Sequence, residues 1–290
     1  MKSEEGDWQK FDQWLDELRT SVGHSAAPGL LFRGQGNSGW ALETTLERNG
    51  QKNMSVAAYY RLITLMGPAV NAFTAVSAPA YDPSLLKGFS DKESLFELDR
   101  FPSGPHFEYM AYLRHHGFPS PLLDWSRSPY VAAFFAFRNA NPQNEARSIY
   151  AYCESLDGCK GGAVGEHMIR TLGPYVRTHA RHFLQQSAYT VCESLDANDN
   201  WQYDSHQKVF ENARPGQDFL WRFDISSTER VKVLRRLDEF NLNAYSLFDS
   251  EEALLETLWV REQIFSSQVT QVSLLEPGID STIQSTHAPA

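Results

Sequence analysis

The sequence predicts an α+β fold: a single domain in which helices surround a mixed, mostly antiparallel sheet. Three observations predict it. Strand-like runs ("LLFRGQ", "RSIYAYCES", "SAYTVCESL" and "DFLWRFDIS") are scattered among helical segments without a βαβα rhythm. Other segments repeat apolar residues at helical spacing. No internal repeat or linker divides the middle of the chain. With 290 residues, 42% of them hydrophobic and 13% aromatic, the chain can fill a substantial core.

Taken in order, Trp8, Phe11, Trp14, Leu15 and Leu18 define an amphipathic first helix, and "SVGHSAAPG" reads as a loop closing an N-terminal segment of residues 1–27. "LLFRGQ" reads as a short buried strand ending in glycine. Ala57–Met66 is helical, and the following "GPAVNAFTAVSAPAYDPS" is less regular. "HFEYMAYLRHHG" is a helix stopped at Gly117. Ser128 and Pro129 are an N-cap and N1 pair, and Tyr130–Phe137 is apolar on every side, so that helix is expected in the core. "RSIYAYCES" and "DFLWRFDIS" are strands, and the second half of "RHFLQQSAYTVCESL" alternates as a strand does. "STERVKVLRRLDEFNL" puts Val231, Leu234 and Leu237 on one helix face, and a last helix ends near Phe265. Residues 266–290, rich in Ser, Thr, Gln, Pro and Gly, read as a flexible tail.

The net charge of −10 argues against broad wrapping of nucleic acid but leaves room for a local basic site. Three cysteines, Cys153, Cys159 and Cys192, form no CxxC pair and read as reduced thiols, two of them buried in strands. The start lacks an apolar signal region, and Tyr130–Phe137 is too short to span a bilayer, so the expected setting is cytoplasmic, with no membrane partner. Dinucleotide, P-loop, GxSxG and HExxH motifs are absent. His179 and His182 have metal-like spacing without a third ligand, so no metal is predicted.

The polar residues crowded before the apolar helix carry the functional signal. A buried helix start leaves unpaired N–H groups and partial positive charge, to be met by Asp124, Ser126 and Ser128 or by a bound anion such as phosphate. Arg33 precedes Gly34, which would let a ligand approach the backbone; the arginine either holds a phosphate or carboxylate or pairs with Asp124. His115 and His116 either answer the dipole of their helix end or donate to a ligand. Gln185 and Gln186 are either surface amides or contacts to a sugar or base.

Together these residues resemble the FRG domain family. "FRGQ" stands at Phe32–Gln35, followed by Trp40, Leu42 and Arg48; "RHHGFPSPLLDWSRSPYVAAFFA" runs from Arg114 to Ala136 and "RHFLQQSAY" from Arg181 to Tyr189. The resemblance spans residues 28–265. It departs where the family has arginine and this chain has Pro121, where it has glutamine and this chain has Arg114, and where it has glycine and this chain has Ser187. The pattern is also similar, remotely, to ADP-ribosyltransferases, which use a basic residue on a first strand, a Ser/Thr motif before a helix, and a glutamate on a later strand. That resemblance implies an ADP-ribosyltransferase-like fold and an enzyme taking NAD as substrate, a toxin or phage-defence effector with a protein or nucleic-acid acceptor. The alternative is a non-enzymatic nucleotide-sensing or protein-binding module using the same pocket. It assigns Arg33, His115, Asp124, Ser126, Gln185 and Glu193 to catalysis, and Gly34, Gln35, Trp125, Ser128, Arg181 and Tyr189 to ligand binding. Arg33 would hold the pyrophosphate, serine and histidine would orient the ribose, and Trp125 or Tyr189 would stack on rings. Glu193 or Asp124 would have to stabilise the ribosyl cation, because Gln185 and Gln186 occupy the usual place of the glutamate.

Overall fold

A computed structural model describes residues 1–89, 101–140, 143, 145–156, 158–162, 166–173, 180–212 and 214–275. The chain begins with β1 (Lys2–Gly6), α1 (Trp8–Ala26), β2 (Leu31–Gln35), α2 (Thr45–Arg48), α3 (Val56–Phe73), α4 (Pro83–Gly88) and α5 (Gly104–His115). Then come β3 (Leu123–Ser126), α6 (Pro129–Phe137), β4 (Ala146–Ser155), β5 (Met168–Leu172), α7 (Ala180–Leu184), β6 (Ser187–Leu195), β7 (Trp201–Tyr203) and α8 (His206–Glu211). β8 (Gln217–Ser226), α9 (Arg230–Glu239), α10 (Ala244–Phe248) and α11 (Glu251–Leu275) close the described chain.

The fold is α+β, built on one mixed sheet ordered β1-β8-β4-β2-β3-β6-β5, with β7 paired to β6. Only β1 and β8 run parallel; the other described pairs are antiparallel. Three buried clusters hold the layers together. The first joins α1, α6 and α9 to β4 and β8 through residues such as Phe11, Trp14, Phe134, Phe137 and Phe223. A second packs α3 and α5 on β6 and β7 around Tyr59, Met110 and Tyr189. A third lies between Trp125, Tyr152, Cys192 and Phe210. Among the described residues no helix is long and apolar enough to cross a membrane.

Local expectations are corrected at several points. α1 leaves helical geometry at Gly23, φ 78°, inside the segment expected to be a loop, and resumes it to Ala26. α3 continues through Gly67 and Pro68 to Phe73. "LDWS" is a strand, β3, too short for its alternation to show in sequence. β1 is polar and exposed along most of its length, so it lacks a strand's apolar signature. On α9 the buried residues are Val233, Leu234 and Leu237, while Val231 is half-buried. α11 runs past residue 266 to Leu275, so the expected tail boundary falls inside a helix; residues 276–290 lie outside the described residues.

The contact that seats α6 on the sheet is made at Gly34. A Cβ there would stand 1.8 Å from the Ala132 carbonyl oxygen and 2.7 Å from the Ala136 nitrogen. The helix backbone therefore lies directly on the strand backbone. The space that the sequence reading gave to a ligand at Gly34 belongs to α6. We predict that Gly34→Ala destabilises the fold by about 3 kcal/mol or more, because neither backbone can yield cheaply. Gly29→Ala, in open space, should stay within about 0.5 kcal/mol. Urea unfolding of the two variants checks this; equal stabilities would contradict it.

Candidate functional site

β2 and β3 share a single paired position, Phe32 with Ser126. Beyond it Arg33 bridges the two strands. Its Nη1 donates to the Asp124 carbonyl oxygen at 2.7 Å and lies 3.0 Å from the Asp124 carboxylate. Arg114, from the last turn of α5, donates Nη2 to the same carboxylate oxygen at 2.5 Å. Burial pushes the Asp124 carboxyl up, but the charges of Arg114 and Arg33 and their hydrogen bonds overcome it and hold the group well below the usual carboxylate range. The Asp124 charge in turn raises Arg114. The acid is ionised and doubly paired, although 46% of its side chain faces the cleft solvent.

This triad stands in the wall of a cleft of about 720 Å³, within the range of small-molecule sites. Six arginines line the cleft: Arg33, Arg48, Arg114, Arg138, Arg147 and Arg181. Asp124 is the sole acidic residue among the described lining residues. Arg138 forms a two-bond pair with Glu256 at 2.7 and 2.6 Å, and Arg181 donates to the Phe248 carbonyl. Arg147, almost wholly buried, donates to the Ala136 carbonyl at 2.6 Å and so closes the C-terminal turn of α6. Arg48 is exposed, and its guanidinium makes no hydrogen bond or ion pair among the described residues. Burial, then the charges of Arg33 and Arg114, lowers its pKa. The buried Nε atoms of Arg33, Arg114 and Arg147 make no hydrogen bond within the described residues.

His115 and Tyr189 form another wall. His115 Nε2 lies 2.7 Å from the Tyr189 hydroxyl, and His182 stacks on the tyrosine ring with centroids 5.7 Å apart. Burial and the Asp124 charge push the Tyr189 hydroxyl above its ordinary value. His182 is thus a buried neighbour of the cleft rather than a surface group; His179 lies outside the described residues.

The serines before α6 have structural partners. Ser126 Oγ donates to the Gln185 carbonyl at 2.8 Å and accepts from the Ser128 nitrogen, while Ser128 Oγ accepts from the Val131 nitrogen. The helix start is therefore capped by its own serines, the first of the two alternatives that the sequence left open. Ser126 and Gln185 reach the cleft wall; Ser128 does not. Gln185 Nε2 donates to the Leu247 carbonyl, tying α7 to α10. Gln35 Nε2 donates to the Ala41 carbonyl. Trp125 is buried against Tyr152, and its indole N–H donates to Thr190 Oγ1; with Tyr189 also buried, neither ring has a face for stacking. Glu193 sits outside the cleft, buried and 3.3 Å from Arg170. Among the described residues, no group of three His, Cys, Asp or Glu is arranged to hold a metal ion.

The cleft thus brings together Arg33, Gly34, Gln35, His115, Asp124, Trp125, Ser126, Arg181, Gln185 and Tyr189, and leaves out Ser128 and Glu193. Residues 29–145 match the FRG domain family. No curated protein and no solved structure matches the chain. The FRG match covers the first part of the resemblance drawn above, from β2 to the residue before β4. Arg33, Arg48, Arg114, Asp124 and Arg138 lie within it; Arg147, Arg181, Gln185 and Tyr189 lie beyond it. The sequence reading missed Arg48, Arg114, Arg138 and Arg147 as site residues, although Arg48 was named in the family pattern. Arg114 had a signal, as a basic residue at a departure from the family pattern. Arg138 and Arg147 had none, because helix and strand ends carry arginines routinely.

The depressed acidity of Asp124 has a consequence for stability. A carboxyl with a lowered folded pKa contributes stability that is complete above its unfolded value of about 3.9 and is lost as the pH falls below it. We predict that unfolding free energy measured in urea drops more steeply between pH 4 and pH 2.5 for the wild type than for Asp124→Asn. The variant should be the less stable of the two at pH 7. Parallel pH profiles would show that the triad stabilises nothing.

Proposed function

We propose that the arginine-lined cleft binds the diphosphate of a nucleotide, with NAD as the ligand in mind, and that it does so without transferring ADP-ribose. The observation that carries this is a cleft lined by six arginines and one carboxylate that two of them already hold, in a chain whose overall charge is −10. An acidic protein that concentrates arginines in one concavity is suited to a compact polyanion. The guanidinium fork matches phosphate oxygens in two bonds. A cytoplasmic setting, where nucleotides are abundant, goes with this reading.

A second reading, an ADP-ribosyltransferase-like enzyme acting as a toxin or phage-defence effector, draws support from one feature. The segments bearing Arg33, Ser126 and Gln185 belong to or lead into adjacent strands, β2, β3 and β6, and meet at one cleft. Electrostatics weigh against turnover. Glu193 lies outside the cleft, and Asp124 shares its charge with two arginines. Neither is placed as a free carboxylate for a ribosyl cation.

Calorimetry with NAD and with inorganic pyrophosphate tests the binding reading. Both should bind, more weakly as salt rises. Arg48→Ala should weaken both about tenfold with no change in melting temperature, since among the described residues that side chain has no bond to lose. Unchanged affinity would remove Arg48 from the site, and absence of binding by the wild type would end the reading. NAD incubated with the protein and a cell extract should stay intact. Nicotinamide release that disappears in Asp124→Asn would favour the transferase instead.

A further inference from the structure

We propose that Trp40 is the nucleobase platform of this cleft, an inference that rests on the diphosphate reading above. Trp40 lines the same cavity as the arginines, yet its side chain is 53% exposed. A large ring left in water at the rim of a cleft loses the burial that usually holds such rings in place. Its backbone is nevertheless well anchored. The Trp40 nitrogen donates to the Asn37 carbonyl, the Gly39 nitrogen to Asn37 Oδ1, and the Ser38 nitrogen to the Ala146 carbonyl. The buried Gln35 amide holds the carbonyl of Ala41, the next residue. The turn from Asn37 to Trp40 is thus fixed to β2 and to the start of β4.

The other rings of the cleft are taken. Phe32, Trp125 and Tyr189 are buried, half-buried Phe135 packs edge-on against Phe134 and Phe248, His115 is held to the Tyr189 hydroxyl, and Phe248 carries the Arg138 guanidinium over its face at 4.2 Å. Among the described residues no ring or guanidinium covers Trp40. A base stacked there would leave the diphosphate of the same nucleotide to reach inward to the arginines. The indole accepts any base, because stacking uses the π-face and not the pattern of donors and acceptors.

Titration of the full chain with ADP and, separately, with inorganic pyrophosphate tests this in the wild type, Trp40→Ala and Trp40→Phe. Trp40→Ala should weaken ADP roughly 5- to 100-fold and leave pyrophosphate unchanged, and Trp40→Phe should recover most of the loss. If the wild type binds both ligands and Trp40→Ala binds ADP as well as the wild type does, the platform is wrong and the diphosphate site stands. An equal loss for both ligands makes Trp40 a structural support of the cleft and also overturns the proposal. If the wild type binds neither, the diphosphate reading fails and the platform falls with it.

Discussion

Asp124 pinned between Arg33 and Arg114 is the interaction on which the cleft depends. β2 and β3 are joined by one paired position, so the ladder itself does little to hold them in register. The carboxylate supplies the missing tie, and Arg114 brings the end of α5 to the same point. Two guanidiniums held this close would repel one another without the acid between them. With it they keep a net positive charge, and each leaves a buried Nε without a hydrogen bond among the described residues. The triad therefore organises three elements and also contributes the first positive charge of the cleft wall. The two roles proposed for Arg33 from sequence, an internal partner of Asp124 or a ligand holder, are compatible in this geometry.

α6 sets the shape of the space around that triad. Its backbone rests on Gly34, its start is closed by Ser126 and Ser128, and its end is closed by Arg147 and by Arg230, which donates to the carbonyls of Phe137 and Arg138. Residues from Ala132 to Ala140 run along the cleft. A helix C-terminus carries partial negative charge, so this end of the wall would repel an anion on its own. Arg147, bonded to the Ala136 carbonyl, stands where it offsets that sign, whereas the charge of Arg138 is balanced by Glu256. The cleft's positive character thus comes from side chains gathered out of five elements and the end of a sixth, α6, rather than from a helix dipole.

Much of the fold was legible because its strongest signals are local. Ser128–Pro129 before an all-apolar run fixed α6, Gly117 stopped α5, and the long apolar strands β4, β6 and β8 stood out. The failures have physical causes. β1 carries four exposed residues and is held by pairing to β8, which no local pattern reveals. β3 is four residues long. Gly23 does break the helical path, at φ 78°, whereas α3 continues through Pro68 under tertiary packing. In the site, Arg33, Asp124 and Gln185 could be named because motif order carries them. Glu193 was misplaced because a carboxylate's position along a strand says nothing about which neighbour it faces; here it faces Arg170. Arg147 enters the cleft through the sheet order that places β4 beside β2, and Arg138 through the seating of α6 on Gly34 of β2.

The most direct test is a crystal structure of the protein soaked or grown with ADP. The diphosphate oxygens should lie about 3 Å from the guanidinium nitrogens of Arg48 and of the Arg33–Arg114 pair, with Asp124 still bridging that pair. ADP bound elsewhere, for example in the separate cavity beside His167 and Lys208, with the arginine cleft unchanged, would contradict the account.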